Sequence, residues 1–149
     1  MKHPLLRSSG GFSLIEVLIA SAILGFALLG LSQLFLQGSL EIYRAKNKSR
    51  ATQLVDEMME MIVASPYPIE NYQGFSTNLS PANTNPVKED LLRWKQDIRA
   101  FQTTALGTIS IVSDNYRKTV IIDLDYLNLG KRDRIEIKRV FSNPFPISP

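Results

Sequence analysis

The 149-residue chain has no cysteine and one histidine, His3. Without cysteine there are no disulfides, no thiol catalysis, no Cys-based zinc site and no Cys-linked lipid. The absence does not fix the compartment, because exported proteins can fold without disulfides. His3 lies ahead of Phe12, so a chain starting at Phe12 has no imidazole. That removes the commonest general base and metal ligand. The Ser and Asp residues show no convergent spacing, so neither an enzyme nor a cofactor is expected. An excess of one charge is also missing: 17 Lys and Arg stand against 14 Asp and Glu. Without Lys2 and Arg7 the balance is fifteen to fourteen. With no basic, aromatic-interleaved stretch, no nucleic-acid partner is expected. Finally, no proline occurs between Phe12 and Ser65.

That proline-free stretch opens on an apolar run. Phe12 to Leu36 is 25 residues with one charge, Glu16. As a helix it is ~37 Å long, and a bilayer core needs only ~20 such residues. A carboxylate in lipid costs a few kcal/mol unless it is paired. A positive N-terminus created by cutting before Phe12 supplies a partner. A secretory signal peptide fits less well. Ala20-Ser21-Ala22 has the form of its cleavage site, but the apolar run continues for 14 residues past it. A buried soluble helix fits less well still, because no face is polar between Val17 and Leu31.

Beyond Leu36 the helical pattern becomes one-sided. Ala51, Leu54, Val55, Met58, Met61 and Ile62 recur at spacings of three and four. Pro66 and Pro68 end the run. One helix of about 50 residues is predicted, apolar all round in its first half and amphipathic in its second. The striped face must pack on something, because an isolated helix of that length and polarity is marginal in water.

Ser65 to Pro86 is rich in Pro, Asn, Ser, Gly and Thr and predicts a long loop, functional or mobile. Asn85-Pro86 predicts a cap and first-turn proline, with Glu89 and Asp90 near the positive end. Leu91, Trp94, Ile98 and Phe101 share one face of this short helix, with Trp94 as its core anchor. The period then changes to two. Strands are predicted at 107–112, 117–126 and 134–141, with turns at Asp114-Asn115 and 128–132. In the second strand Val120, Ile122, Leu124 and Tyr126 face one way. Short turns imply an antiparallel meander whose apolar face covers the striped helix. The proline-bearing tail, 143–149, cannot extend a ladder. The predicted fold is α+β: a long N-terminal helix on a small three-stranded antiparallel sheet, with one short extra helix.

With these parts placed, Gly11-Phe12-Ser13-Leu14-Ile15-Glu16-Val17 after a short basic head resembles the class III signal of type IV pilins and their relatives. The Ile15–Gly25 run, Leu28 to Leu31, and Ala51 to Glu60 look most like minor pilins of the PilV type. The I subunit of type II secretion pseudopilins shares nearly the same N-terminal grammar. There is no C-terminal cysteine pair and no proline in the span, and both departures weigh against a major pilin. The resemblance implies a pilin-like fold and a prepilin peptidase that cuts between Gly11 and Phe12 and N-methylates Phe12. It implies an inner-membrane, single-pass protein with a periplasmic head, later part of a pilus at the cell surface. Partners are then the peptidase, other pilin subunits through the N-terminal helix, the assembly machinery and inner-membrane lipid. The division becomes 1–11 leader, 12–36 transmembrane half-helix, 37–65 amphipathic half-helix, 66–86 loop and 87–149 head. Counting Lys and Arg alone, Arg44, Lys46, Lys48 and Arg50 would put the far side in the cytoplasm. The cleavage signal overrules that small difference.

Glu16 has three readings. It neutralises its own terminal ammonium four residues back, favours the positive helix end, or pairs with the ammonium of a neighbouring subunit. Ser21 and Gly25 form a small-xxx-small pair that lets helices approach in lipid, or are ordinary span composition. Arg44 to Arg50 are a solvated face or a contact for anionic headgroups. Met58, Met59 and Met61 read as packing. Asp123 and Asp125 face water or pair with Lys138. Asn47-Lys48-Ser49 and Asn78-Leu79-Ser80 match the glycosylation triplet, which also arises by chance.

Overall fold

The computed structural model describes residues 13–114 and 116–142. The predicted tail at 143–149 and Asn115 of the first turn lie outside them. The element order is α1 (Leu14–Ala64), a 3-10 turn (Ile69–Tyr72), α2 (Lys88–Phe101), β1 (Leu106–Ser113), β2 (Arg117–Asn128) and β3 (Lys131–Ser142). The chain divides into two compact units between Ile42 and Tyr43.

In the first unit, the described residues form the N-terminal part of α1, and their apolar side chains are exposed. α1 is long and apolar enough to cross a membrane. In the second unit α1 becomes one-sided. Ala51, Leu54, Val55, Met58, Met59 and Ile62 are buried. Met59 thus takes the core place expected of Met61, which packs at the margin. Three helical methionines within four positions all lie near the boundary of the stripe, and 100° per residue decides between them only once the sheet is placed. Each fully buried Leu, Ile or Met stabilises by ~1.5–3 kcal/mol, which the polar half of α1 could not obtain alone.

The sheet is an antiparallel meander in the order β1-β2-β3. Ile109 pairs with Ile122, which pairs with Ile137 on the far strand. Val120, Ile122, Leu124 and Tyr126 are all buried, as their alternation requires. They join the α1 stripe and the Leu91, Trp94 and Ile98 face of α2 in one core. Leu129 (φ 51°) and Gly130 (φ 79°) close the β2–β3 hairpin. Two left-handed residues in a two-residue loop make a type I′ turn, which matches the strand twist. Leucine there bears the steric strain that Asn or Gly avoids.

Two local expectations change. α2 starts at Lys88, not at Pro86. Asn85 Oδ1 instead accepts the Val87 amide at 3.0 Å, and its Nδ2 donates to the Asn71 carbonyl at 2.9 Å. The side chain that would have capped the helix closes a turn before it. Glu89 and Asp90 do occupy the first turn. The 66–86 segment, expected as an irregular loop, carries a 3-10 turn and buries Tyr72, Phe75 and Thr77. It also runs beside the outer edge of β1. The Ile109 amide donates to the Phe75 carbonyl at 2.9 Å, the Gly74 amide to the Ile109 carbonyl at 3.1 Å, and the Thr77 amide to the Gly107 carbonyl at 2.9 Å. The segment satisfies an edge that would otherwise be open.

Candidate functional site: the N-terminal end of α1

Between Ser13 and Leu40 the only ionisable side chain is Glu16. α1 begins just after Ser13, whose carbonyl accepts the Glu16 amide at 2.9 Å and the Val17 amide at 3.2 Å. The Glu16 carboxylate reaches back and accepts the Ser13 amide at 3.3 Å. This is the acidic arm of an S-x-x-E capping box. It holds a negative charge at the positive end of the helix and occupies one of its orphan amides. The Ser13–Glu16 spacing carried this signal in the sequence, yet the reading of Glu16 above passed over it.

The remaining hydroxyls in this stretch are satisfied within the helix. Ser21 Oγ donates to the Val17 carbonyl at 2.8 Å, Ser32 Oγ to Leu28 at 2.8 Å and Ser39 Oγ to Phe35 at 2.9 Å. Such back-bonding is what lets serine sit in hydrocarbon. A Cβ added at Gly25 would meet nothing within 4 Å, so the Ser21–Gly25 flank is open. Gly11 and Phe12, the expected cleavage junction, lie outside the described residues.

The other singled-out residues lie in the second unit. Trp94 is buried and its Nε1 donates to the Leu54 carbonyl of α1 at 2.9 Å, tying α2 to the long helix. Asp123 pairs with Arg134 (Nη2–Oδ1 2.8 Å), not with Lys138. Lys138 instead meets its own strand's Glu136 at 2.8 Å. Both cations are diagonal to Asp123 in the register, and the guanidinium fork also places its Nε 2.9 Å from the same oxygen. Lys46, Lys48 and Arg50 are exposed, while Asn47 Nδ2 lies 3.5 Å from Asn128 Oδ1. Tyr72 donates to Asp90 at 2.8 Å; burial, with the Asp90 charge adding, pushes its phenol up to about 12. The Lys118 ammonium bonded to Glu70 holds that carboxyl below its ordinary range. An open groove of about 1230 Å³ along α1 and α2 is lined by Asp56, Glu60, Arg93 and Asp97 among others.

The prokaryotic N-terminal methylation motif matches residues 6–32. The match covers the end of the basic head, the Gly11–Phe12 junction, Glu16 and most of the apolar run. No curated protein and no solved structure matches the chain. A prepilin-type signal running into a membrane-capable helix, with an amphipathic continuation packed on a three-stranded antiparallel sheet, is a pilin-like α+β design. The motif is the prepilin-type cleavage and methylation signal found in type IV pilin-like proteins. That family is structural rather than enzymatic, and its signal implies processing by prepilin peptidase. The apolar helix is consistent with anchoring in the inner membrane before assembly.

Proposed function

We propose that the chain is a minor pilin of the PilV type, incorporated into a type IV pilus or priming its assembly. The observation that carries the pilin-like part of this reading is the methylation motif at 6–32 continuing into a helix whose one intramembrane charge is Glu16; the likeness of the Ile15–Gly25, Leu28–Leu31 and Ala51–Glu60 runs favours the PilV type. In this reading the peptidase removes 1–11 by cutting after Gly11 and methylates Phe12. Residues 12–36 anchor the subunit, 37–65 form the amphipathic half-helix, and 66–86 and 87–149 build the periplasmic head. On assembly Glu16 leaves its local bond to the Ser13 amide and pairs with the terminal ammonium of a neighbouring subunit. Little opposes the exchange, because a bond to one exposed amide is a weak competitor for a full charge in lipid. Ser21 and Gly25 provide a flank where another helix can approach.

Two measurements test it. Mass spectrometry of the mature protein should find N-methylated Phe12 as the first residue. An uncut Met1 with active peptidase present, or a terminus near Ile23, would remove the reading. Glu16→Val should insert and be cleaved normally but fail to enter filaments; normal incorporation would sink the assembly role of Glu16. The N-terminal motif is equally suited to an I-subunit-like secretion pseudopilin. Loss of piliation with secretion intact in a deletion strain supports the pilus, and the reverse supports the pseudopilus.

A further inference from the structure

The positive charge of the head is gathered at one end. Residues 41–50 and 127–133 hold six basic side chains (Arg44, Lys46, Lys48, Arg50, Lys131 and Arg132) and two acidic ones, Glu41 and Asp133. The rest of the chain after Gly11 has nine basic against twelve acidic residues, so it is net negative. The fold joins the two stretches. Asn128, buried beside the β2–β3 turn, bonds Asn47 Nδ2, the Arg44 carbonyl and Asp133, at 3.5, 3.5 and 3.1 Å. On α1, Arg44 and Lys48 lie about 40° apart on one side, and Lys46 and Arg50 about 40° apart on another, so the charges encircle the helix. Lys46, Lys48, Lys131 and Arg132 make no ion pair with any described residue. Beside these cations stand exposed apolar groups: Tyr43, Leu127, and Leu129 at the strained tip of the hairpin.

We propose that this collar, with the Leu129 tip, docks onto the anionic phospholipid headgroups next to the subunit's own span before the subunit enters a filament. The chain itself argues for lipid over an acidic protein. Arg44 follows the last residue of the apolar run, Leu36, by only eight positions, at most ~29 Å of chain, so the collar stays within reach of the headgroups. Tyrosine and leucine interleaved with Lys and Arg suit a surface that is charged outside and apolar beneath. Each such cation favours an anionic surface by about fivefold in occupancy. The collar thereby holds the head down in a defined orientation, and headgroup release accompanies extraction from the bilayer.

The proposal rests on the membrane-anchored reading, and the cysteine-free sequence makes both testable with single labels. The full chain carrying Leu129→Cys, Leu28→Cys or Val140→Cys is labelled with an environment-sensitive fluorophore. Each is reconstituted into phosphatidylcholine vesicles with or without phosphatidylglycerol, doped with brominated lipid as quencher. The Leu28 label should be quenched in both compositions; if it is not, the anchor itself is wrong. The Leu129 label should be quenched only with phosphatidylglycerol. That quenching should fade with salt and weaken about fivefold per charge in Lys131→Gln and Arg132→Gln. The Val140 label, nine positions along β3 from Lys131 or ~30 Å, should stay solvated. A quenched Leu28 label with a solvated Leu129 label in both compositions overturns the collar alone. So does Leu129 quenching that ignores lipid charge.

Discussion

Gly107 on β1 makes room for the ring that joins α2 to the long helix. A Cβ there would lie 2.6 Å from Ile98 Cδ1, 2.6 Å from Trp94 Cη2 and 3.0 Å from Trp94 Cζ2. Neither neighbour can yield freely. Both are buried, and the Trp94 ring is held by its bond to the Leu54 carbonyl and by Phe75 at 6.3 Å. Overpacking of this kind costs about 1–3 kcal/mol. Replacing glycine recovers about 0.4–1 kcal/mol of unfolded-chain entropy. Gly107→Ala should therefore lose a net ~1–2 kcal/mol, and a head of about a hundred residues shifts its Tm by roughly 4–8 °C per kcal/mol. Thermal unfolding of the full chain in detergent, followed by fluorescence of Trp94, measures this. Trp94 is the one tryptophan and sits in the affected contact. Ile98→Val deletes the Cδ1 atom, so the double variant should lose at least ~0.5 kcal/mol less than the two single losses combined. Gly38→Ala, with nothing within 4 Å, is the control and should not lower the transition. An unchanged midpoint for Gly107→Ala, or strict additivity with Ile98→Val, would refute the account of this packing.

Trp94→Phe removes the donor to the Leu54 carbonyl along with indole volume, and should cost roughly 2–3 kcal/mol in the same unfolding experiment made by circular dichroism. Tyr72 has its phenol raised above the ordinary value of 10.0 to about 12. Its contribution to stability is therefore complete below pH 10, declines above it, and is lost as pH rises through 12; Tyr72→Phe should flatten that alkaline loss in a pH series of unfolding midpoints. Leu129→Asn should relieve left-handed strain and stabilise the hairpin by about 1 kcal/mol, while weakening the anionic-lipid contact. A variant that gains stability and keeps full lipid contact would separate the tip from the docking surface.

The long helix and the sheet were legible because their signals are repetitive. A stretch free of proline from Phe12 to Ser65 leaves α1 nowhere to break, and alternation over Val120 to Tyr126 admits one sheet face. What escaped was settled by single side chains. Asn85 serves equally as a helix cap or a turn former, and the Asn71 carbonyl decides for the turn. The 66–86 segment shows no periodicity because backbone bonds to β1, rather than an apolar stripe, hold it; Tyr72 and Phe75 were its only sequence trace. The choice of Arg134 over Lys138 by Asp123 depends on fork geometry, which spacing does not encode. At the functional end the motif was plain from the junction at Gly11 through Glu16. The local bond between Glu16 and the Ser13 amide needed the S-x-x-E spacing to be taken as a cap as well as a cleavage signal.

The bonds that close the head span most of the chain, and this sets an order of events during synthesis. Leu54 waits for Trp94, Asn47 for Asn128, and Glu60 for Arg139, which lies 79 residues later. The apolar segment needs no such partner and can enter the bilayer as soon as it emerges. In the membrane-anchored reading the subunit is tethered while the Ala51–Ile62 stripe is still bare, until α2 and β2, which share its core, have been made. Any delay in delivering the C-terminal third leaves an amphipathic helix exposed beside the lipid. This is the interval in which misfolding or capture by a chaperone has its chance.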